Sequence, residues 1–294
     1  MSSGNAAVGP ASGVPVERRF IRLAEGLMHL RHAGDAQAGK PPVWLMHASP
    51  SSSVSLQPLI SRLAAECRVI APDTPGYGDS VALAASQPSL LDYADAHRRM
   101  LDALGVDRTV LYGHHTGAHI AVELAILMPD RIAGIVLEGL LWLEGPERED
   151  FMRHYAPPML PDAWGTQVFQ SLQWLRDQAW FFPHFRRDAE HNLGMGALPP
   201  DVLHMLMLDM LKAGSGYHLA YQAVFTHRLE ERLRLVRTPA LLLTAQHDPT
   251  APAMARAREH ITGARACRIE EGGSVDGLTQ RVRAIIEFAV SPDA

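Results

Sequence analysis

The 294-residue chain is short of several things, and each shortage removes a class of function. Two cysteines, Cys67 and Cys267, are too few for a disulfide framework; both sit in apolar, strand-like runs and read as buried, reduced thiols. No apolar run reaches the length of a bilayer span. Positive charge is not in excess either: the formal net charge is -5, which gives no footing for nucleic acid or an anionic membrane as partner. Residues 1–16 are rich in Ser, Gly, Ala and Pro and lack the apolar core of a secretory signal, so a disordered lead and a cytoplasmic location are expected. Histidine runs out early, with none after His260.

What is present is an ordinary globular balance, 47% hydrophobic and 20% charged. Arg18 to Arg31 alternates loosely around Glu25-Gly26 and reads as an edge hairpin. Short continuous apolar runs at Val43–Met46, Cys67–Ala71, Thr109–Tyr112, Ile132–Leu137, Ala240–Thr244 and Ala266–Ile269 read as buried strands. Helical spacing lies between and after them, at Val54–Ala65, Leu90–Leu104, Ile120–Ala125, Ala251–His260 and Leu278–Ala289. This alternation predicts an α/β fold with a doubly wound, mostly parallel sheet. From Glu144 to about His227 the alternation stops, and Trp164, Trp174, Trp180-Phe181-Phe182 and a methionine-rich helix, Val202–Leu211, take its place. The expected organisation is a core over 17–143 and 228–294 with a helical cap over 144–227.

The chain is organised around Leu111-Tyr112-Gly113-His114-His115-Thr116-Gly117-Ala118-His119. A strand runs into a sharp turn and a helix, with Gly113 and Gly117 flanking the middle residue where two backbones nearly touch. That frame normally presents a nucleophile; here its middle residue is His115.

Four stretches in register resemble the α/β-hydrolase fold superfamily of the capped type. His47-Ala48-Ser49-Pro50 resembles its oxyanion loop. Asp73-Thr74-Pro75-Gly76-Tyr77-Gly78-Asp79-Ser80 resembles the stretch after its fourth strand. Gly113 to Gly117 matches its elbow, and Asp248 follows a strand where the family places its triad acid. The resemblance implies a triad histidine after the last strand, but that loop reads Glu270-Glu271-Gly272-Gly273-Ser274-Val275-Asp276. Ser274 stands where the base belongs, and His115 where the nucleophile belongs, so the usual serine–histidine relay cannot run.

The resemblance implies an enzyme acting on a small, fairly apolar carbonyl compound, without a cofactor. At a helix N-terminus the dipole disfavours an imidazolium, so His115 is expected as a neutral imidazole. Backbone N–H groups of Thr116 and Ser49 would form the oxyanion hole, with His47 and Trp180 beside the substrate; each donor in such a hole is worth about 3–4 kcal/mol. Two mechanisms compete. In one, ester or C–C hydrolysis, His115 is the base, Ser274 or water attacks, Asp248 orients that attacking group, and another acid such as Glu138 supplies the carboxylate that fixes the imidazole's tautomer. In the other, His115 moves a proton on an enolate, as in a cofactor-free lyase, decarboxylase or isomerase. A non-catalytic small-molecule binder is the reading from another class.

Plainer roles are open to several of these residues. His47 and His114 suit loop-turning hydrogen bonds, and Asp248 and Ser274 suit turns. His115 and His119 have the spacing of a zinc pair, with His247 nearby, but no acidic third ligand follows and no metal is expected. Arg186-Arg187 reads as a solvated pair, and Met205, Met207 and Met210 as packing. Gly76-x-Gly78 lacks what a phosphate loop needs. A small molecule is the expected partner, with a homodimer left open.

Overall fold

The structure, a computed structural model, describes residues 14–37, 40–194, 196–270 and 274–292. β1 (Glu17–Arg22) and β2 (Leu27–Ala33) form the expected antiparallel hairpin, turned by paired bonds between Leu23 and Gly26. Then come β3 (Val43–Met46), α1 (Gln57–Leu63), β4 (Val69–Pro72), α2 (Leu90–Ala103), β5 (Thr109–His114), α3 (Thr116–Leu127) and β6 (Ile132–Glu138). Helices follow: α4 (Gly145–His154), α5 (Thr166–Trp180), α6 (Pro200–Ala213), α7 (Leu219–Phe225) and α8 (Leu229–Leu233). β7 (Ala240–Ala245), α9 (Ala251–His260), β8 (Arg265–Ile269) and α10 (Val275–Val290) complete the order.

The eight strands form one sheet in the order β1-β2-β4-β3-β5-β6-β7-β8, antiparallel at β1–β2 and β2–β4 and parallel elsewhere. The two-residue period of a strand sorts its side chains between two cores. Trp44, Met46 and Leu111 join one cluster with α2 and α3, while Val43, Leu45, Val110 and Tyr112 join the other with α1 and α10. Both faces are therefore covered, and this is why the strands read as unbroken apolar runs. α3 is buried on nearly every side, against α2, the sheet and the helical insertion.

Because β3 lies between β4 and β5, the winding reverses beside it, and a crevice opens beyond the carboxyl ends of β3 and β5. The insertion between β6 and β7 roofs that crevice. Among the described residues it holds one isolated bridge, Phe181 to Asn192, and otherwise helices. It is tied down by polar contacts: the buried Asp209 of α6 accepts from Ser51 Oγ at 2.8 Å and Ser52 Oγ at 2.9 Å. Tyr77 Oη donates to the Tyr217 carbonyl at 2.8 Å. Trp174, Tyr217 and Phe225 share a core cluster with Trp44 and Leu111, so roof and sheet are packed as one body.

Residues 1–13 of the expected disordered lead lie outside the described residues; Val14 and Val16 pack against the α1–α10 core. Both cysteines are free, but Cys267 on edge strand β8 is only half-buried, unlike Cys67. Among the described residues no helix is long and apolar enough to cross a membrane.

Candidate active site

His115 joins β5 to α3 with φ 47° and ψ −111°, a conformation that costs a non-glycine residue about 1–3 kcal/mol. Its surroundings hold it there. His115 N donates to the Glu138 carbonyl at 2.8 Å, and a Cβ on Gly113 or Gly117 would strike the carbonyl of Gly117 or Met46. A Cβ on Gly139, at φ 77°, would strike the His115 ring itself. That ring lies with Nδ1 2.9 Å from the Gly139 carbonyl. A carbonyl only accepts, so Nδ1 carries the hydrogen and the Nε2 lone pair is left without a partner among the described residues.

The side chain of His115 lines a cavity of about 410 Å³ under the helical roof. His114 lines it too, its ring centroid 4.3 Å from that of His115, which corrects the expected loop-turning role. Removal from bulk water, and secondarily the adjacent His115, bring its pKa down to about 3, so it stays a neutral imidazole.

Ser49 and Thr116 also line the cavity. Thr116 is the first residue of α3, where N–H groups have no partner within the helix. Ser49 N rests on Thr116 Oγ1 at a long 3.4 Å. His47 does not line the cavity, contrary to its expected place beside the substrate. It bonds the Ala48 carbonyl at 3.0 Å and accepts from Thr74 N at 2.9 Å, bracing the loops after β3 and β4. Burial lowers its pKa from the usual histidine value.

Asp248 lies in the cavity wall after β7 and is also a turn residue, its Oδ1 accepting from Thr250 N at 2.8 Å and Thr250 Oγ1 at 2.6 Å. His247, at φ 63°, lines the same wall but is exposed. Ser274 accepts from Gly277 N at 3.0 Å as the N-cap of α10 and is not among the lining residues. Residues 271–273, beside it in the loop read for the triad base, lie outside the described residues.

Arg281, from α10, is the charged cavity residue that sequence reasoning missed. Its Nε and Nη2 reach the two oxygens of Glu138 at 2.8 and 2.7 Å, and Tyr112 Oη donates to Glu138 at 2.8 Å. Burial alone would raise the Glu138 carboxyl, but the bond from Arg281, its positive charge and the Tyr112 hydroxyl outweigh it and lower the pKa. Glu138 is thus a buried, ion-paired carboxylate; among the described residues its side chain makes no hydrogen bond to the His115 ring.

Of the roof aromatics, Phe181 and Phe182 face the cavity, with Tyr155, Tyr221 and Phe225. Trp180, expected as a substrate wall, is 38% exposed under the guanidinium of Arg176. α5 ends at Trp180, and the chain turns inward only after it. Arg186 and Arg187 pair with Asp150 and Asp177, both at 2.8 Å, and neither lines the cavity. The three methionines of α6 do not line it either.

His119 has both ring nitrogens engaged, accepting from Leu141 N at 3.1 Å and meeting His227 Nδ1 at 2.9 Å, so it offers no ligand atom beside His115. Among the described residues the donor atoms of His29, Asp73 and Asp79 lie within 4.8 Å of one another, away from the cavity. They are bound to each other and to Arg18 and Lys212, an ion-pair network bracing the loop after β4.

The chain resembles known proteins at two levels. Curated relatives include an uncharacterized hydrolase of Saccharomyces cerevisiae, 32% identical over 150 residues, covering 47% of this chain and 50% of the relative. Another is the 2-hydroxy-6-oxononadienedioate/2-hydroxy-6-oxononatrienedioate hydrolase 2 of Pseudomonas putida, 35% identical over 131 residues, 41% of this chain and 44% of the relative. The matches thus span half or less of these relatives' length. Among solved structures, a thermophilic esterase from Thermogutta terrifontis superimposes with a TM-score of 0.70 at 20% identity, covering 95% of this chain and 100% of that one. An epoxide hydrolase from an endophytic Streptomyces gives 0.69 at 21%, covering 94% and 95%. At such identities these likenesses establish the fold alone. The family profile described as alpha/beta hydrolase fold matches residues 41–277, most of the chain, and the chain belongs to the α/β-hydrolase fold family.

Proposed function

We propose that the protein is a cofactor-independent hydrolase of small, mostly apolar esters or carbon–carbon-bonded ketones, with His115 as its base. The carrying observation is the His115 ring: backbone-pinned through Nδ1, unengaged at Nε2, and lining the cavity. Named hydrolases among the curated relatives support the class.

A substrate carbonyl oxygen would lie between Ser49 N and Thr116 N, displacing the long Ser49–Thr116 contact. Nε2 takes a proton from water, and the hydroxide adds to the carbonyl carbon. The oxyanion then collapses, and the imidazolium returns its proton to the leaving group. Asp248, on the same wall, supplies negative charge that favours the transient imidazolium. Ser274 is engaged as a helix cap, which favours water over that serine as the attacking group.

The test is a panel of esters, β-diketones and β-keto acids with wild type and His115→Ala. A general base contributes about 10²–10⁴-fold, so kcat/KM should fall by about 10³-fold in His115→Ala while circular dichroism is unchanged. Turnover in ¹⁸O-water should place one solvent oxygen in the acid product. Retained turnover in His115→Ala overturns the reading. Product with solvent hydrogen but no solvent oxygen would assign the site to lyase or decarboxylase chemistry, and a ligand recovered unchanged would assign it to binding alone.

A further inference from the structure

We propose that Glu138 is a built-in carboxylate that occupies the anion seat of Arg281 and makes the cavity select uncharged carbonyl compounds over carboxylate-bearing ones. The proposal deepens the reading of this cavity as the substrate site and rests on it.

Arg281 is the one lysine or arginine among the described lining residues. An arginine in an apolar cavity is ordinarily a fork for a ligand carboxylate, gripping both oxygens through parallel N–H groups. Here that grip is already closed, by Nε and Nη2 on the two oxygens of Glu138 at 2.8 and 2.7 Å. The side chains are 13% and 2% exposed, so water screens the pair little. Tyr112 adds a third donor to the same carboxylate at 2.8 Å. Displacing Glu138 would strand a buried charge, which is strongly unfavourable.

The remaining charge points the same way. Asp248 is a second carboxylate on the wall, so one cation faces two anions. His114 does not redress the balance, because it is held neutral. An entering carboxylate therefore meets an arginine whose charge is already matched and a net negative surround, whereas a ketone or ester meets backbone donors and the aromatic side chains of Phe181, Phe182 and Phe225. The specificity comes from a group placed against the wrong ligand as much as from contacts to the right one.

The experiment uses two probes of the same shape, benzylacetone and hydrocinnamate, with binding followed by calorimetry on the full chain. Wild type should bind benzylacetone about tenfold more tightly than hydrocinnamate, the ratio that about 1.4 kcal/mol of charge discrimination produces. Glu138→Gln keeps an acceptor for Arg281 and Tyr112 but removes the competing charge; it should tighten hydrocinnamate about tenfold and leave benzylacetone within about twofold. Should Glu138→Gln lose its native circular dichroism, Asp248→Asn should move hydrocinnamate the same way by a smaller factor. Equal binding of the two probes by wild type, no binding of benzylacetone, or an unmoved hydrocinnamate affinity in the folded variant overturns the proposal. Binding needs no turnover, so failure here is distinct from retained turnover in His115→Ala.

Discussion

Two histidine pairs meet near the start of α3, and they are opposites. In His114–His115 the rings lie 4.3 Å apart, and only Nδ1 of His115 has a hydrogen-bond partner among the described residues. In His119–His227 the rings lie 5.1 Å apart and every ring nitrogen is engaged. Leu141 N donates to His119 Nε2 at 3.1 Å, one proton bridges the two Nδ1 atoms at 2.9 Å, and His227 Nε2 meets Glu123 at 2.8 Å. Arg232 closes the chain on both oxygens of Glu123, at 2.7 and 2.8 Å. One arrangement of protons satisfies the whole series, with both imidazoles neutral. The same side chain thus serves as structural joint or as reagent, according to whether its nitrogens are spoken for.

That contrast breaks most visibly under Glu123→Ala. Removing the carboxylate leaves the buried His227 ring without its acceptor and the part-exposed Arg232 without its partner, and unfolding in urea should show a loss of about 1–3 kcal/mol. His115→Ala, which takes one donor from the Gly139 carbonyl at the cavity wall, should unfold within about 1 kcal/mol of wild type; equal losses in the two variants would erase the distinction.

Acid is the next lever. The folded pKa values of His114 and His97 are held at about 3, against the usual 6.5, by burial first; His119 and His47 are shifted in the same direction for the same reason. Groups lowered on folding bind protons more readily in the unfolded chain. The stability they permit is whole above pH 6.5 and is lost as pH falls toward about 3. His114→Gln takes one such group out of the linkage, so its urea midpoint should fall less steeply between these limits than that of wild type. An identical slope would show that His114 is already protonated in the native cavity.

The smallest effect expected is that of Ser274→Ala. Loss of an N-cap serine costs about 1 kcal/mol, and turnover on the best substrate of the panel should be unchanged. A collapse of kcat/KM without a matching loss of stability would return Ser274 to the chemistry.

Much of this was legible in the sequence because periodicity reports burial. The strand runs and most helical segments fall where expected, and Ser49, His115, Thr116 and Asp248 do line one cavity. What was hidden is what periodicity does not carry. Arg281 is one of several polar residues on an amphipathic helix, and nothing local marks it as reaching across the sheet end to Glu138, 143 positions earlier. Trp180 and Phe181 are adjacent aromatics, and which one faces inward depends on α5 ending between them and the chain turning there. Ser274 after two glycines fits a helix start as well as a triad position, and only the bond to Gly277 N separates the two.

The glycines around residue 115 carry a wider consequence. Since a Cβ on Gly113 or Gly117 would strike main-chain carbonyls, the shape of this socket is dictated by main chain meeting main chain. The tool mounted in it is thereby interchangeable: replacing a single amino acid swaps the reagent while the scaffold that aims it is left as it was.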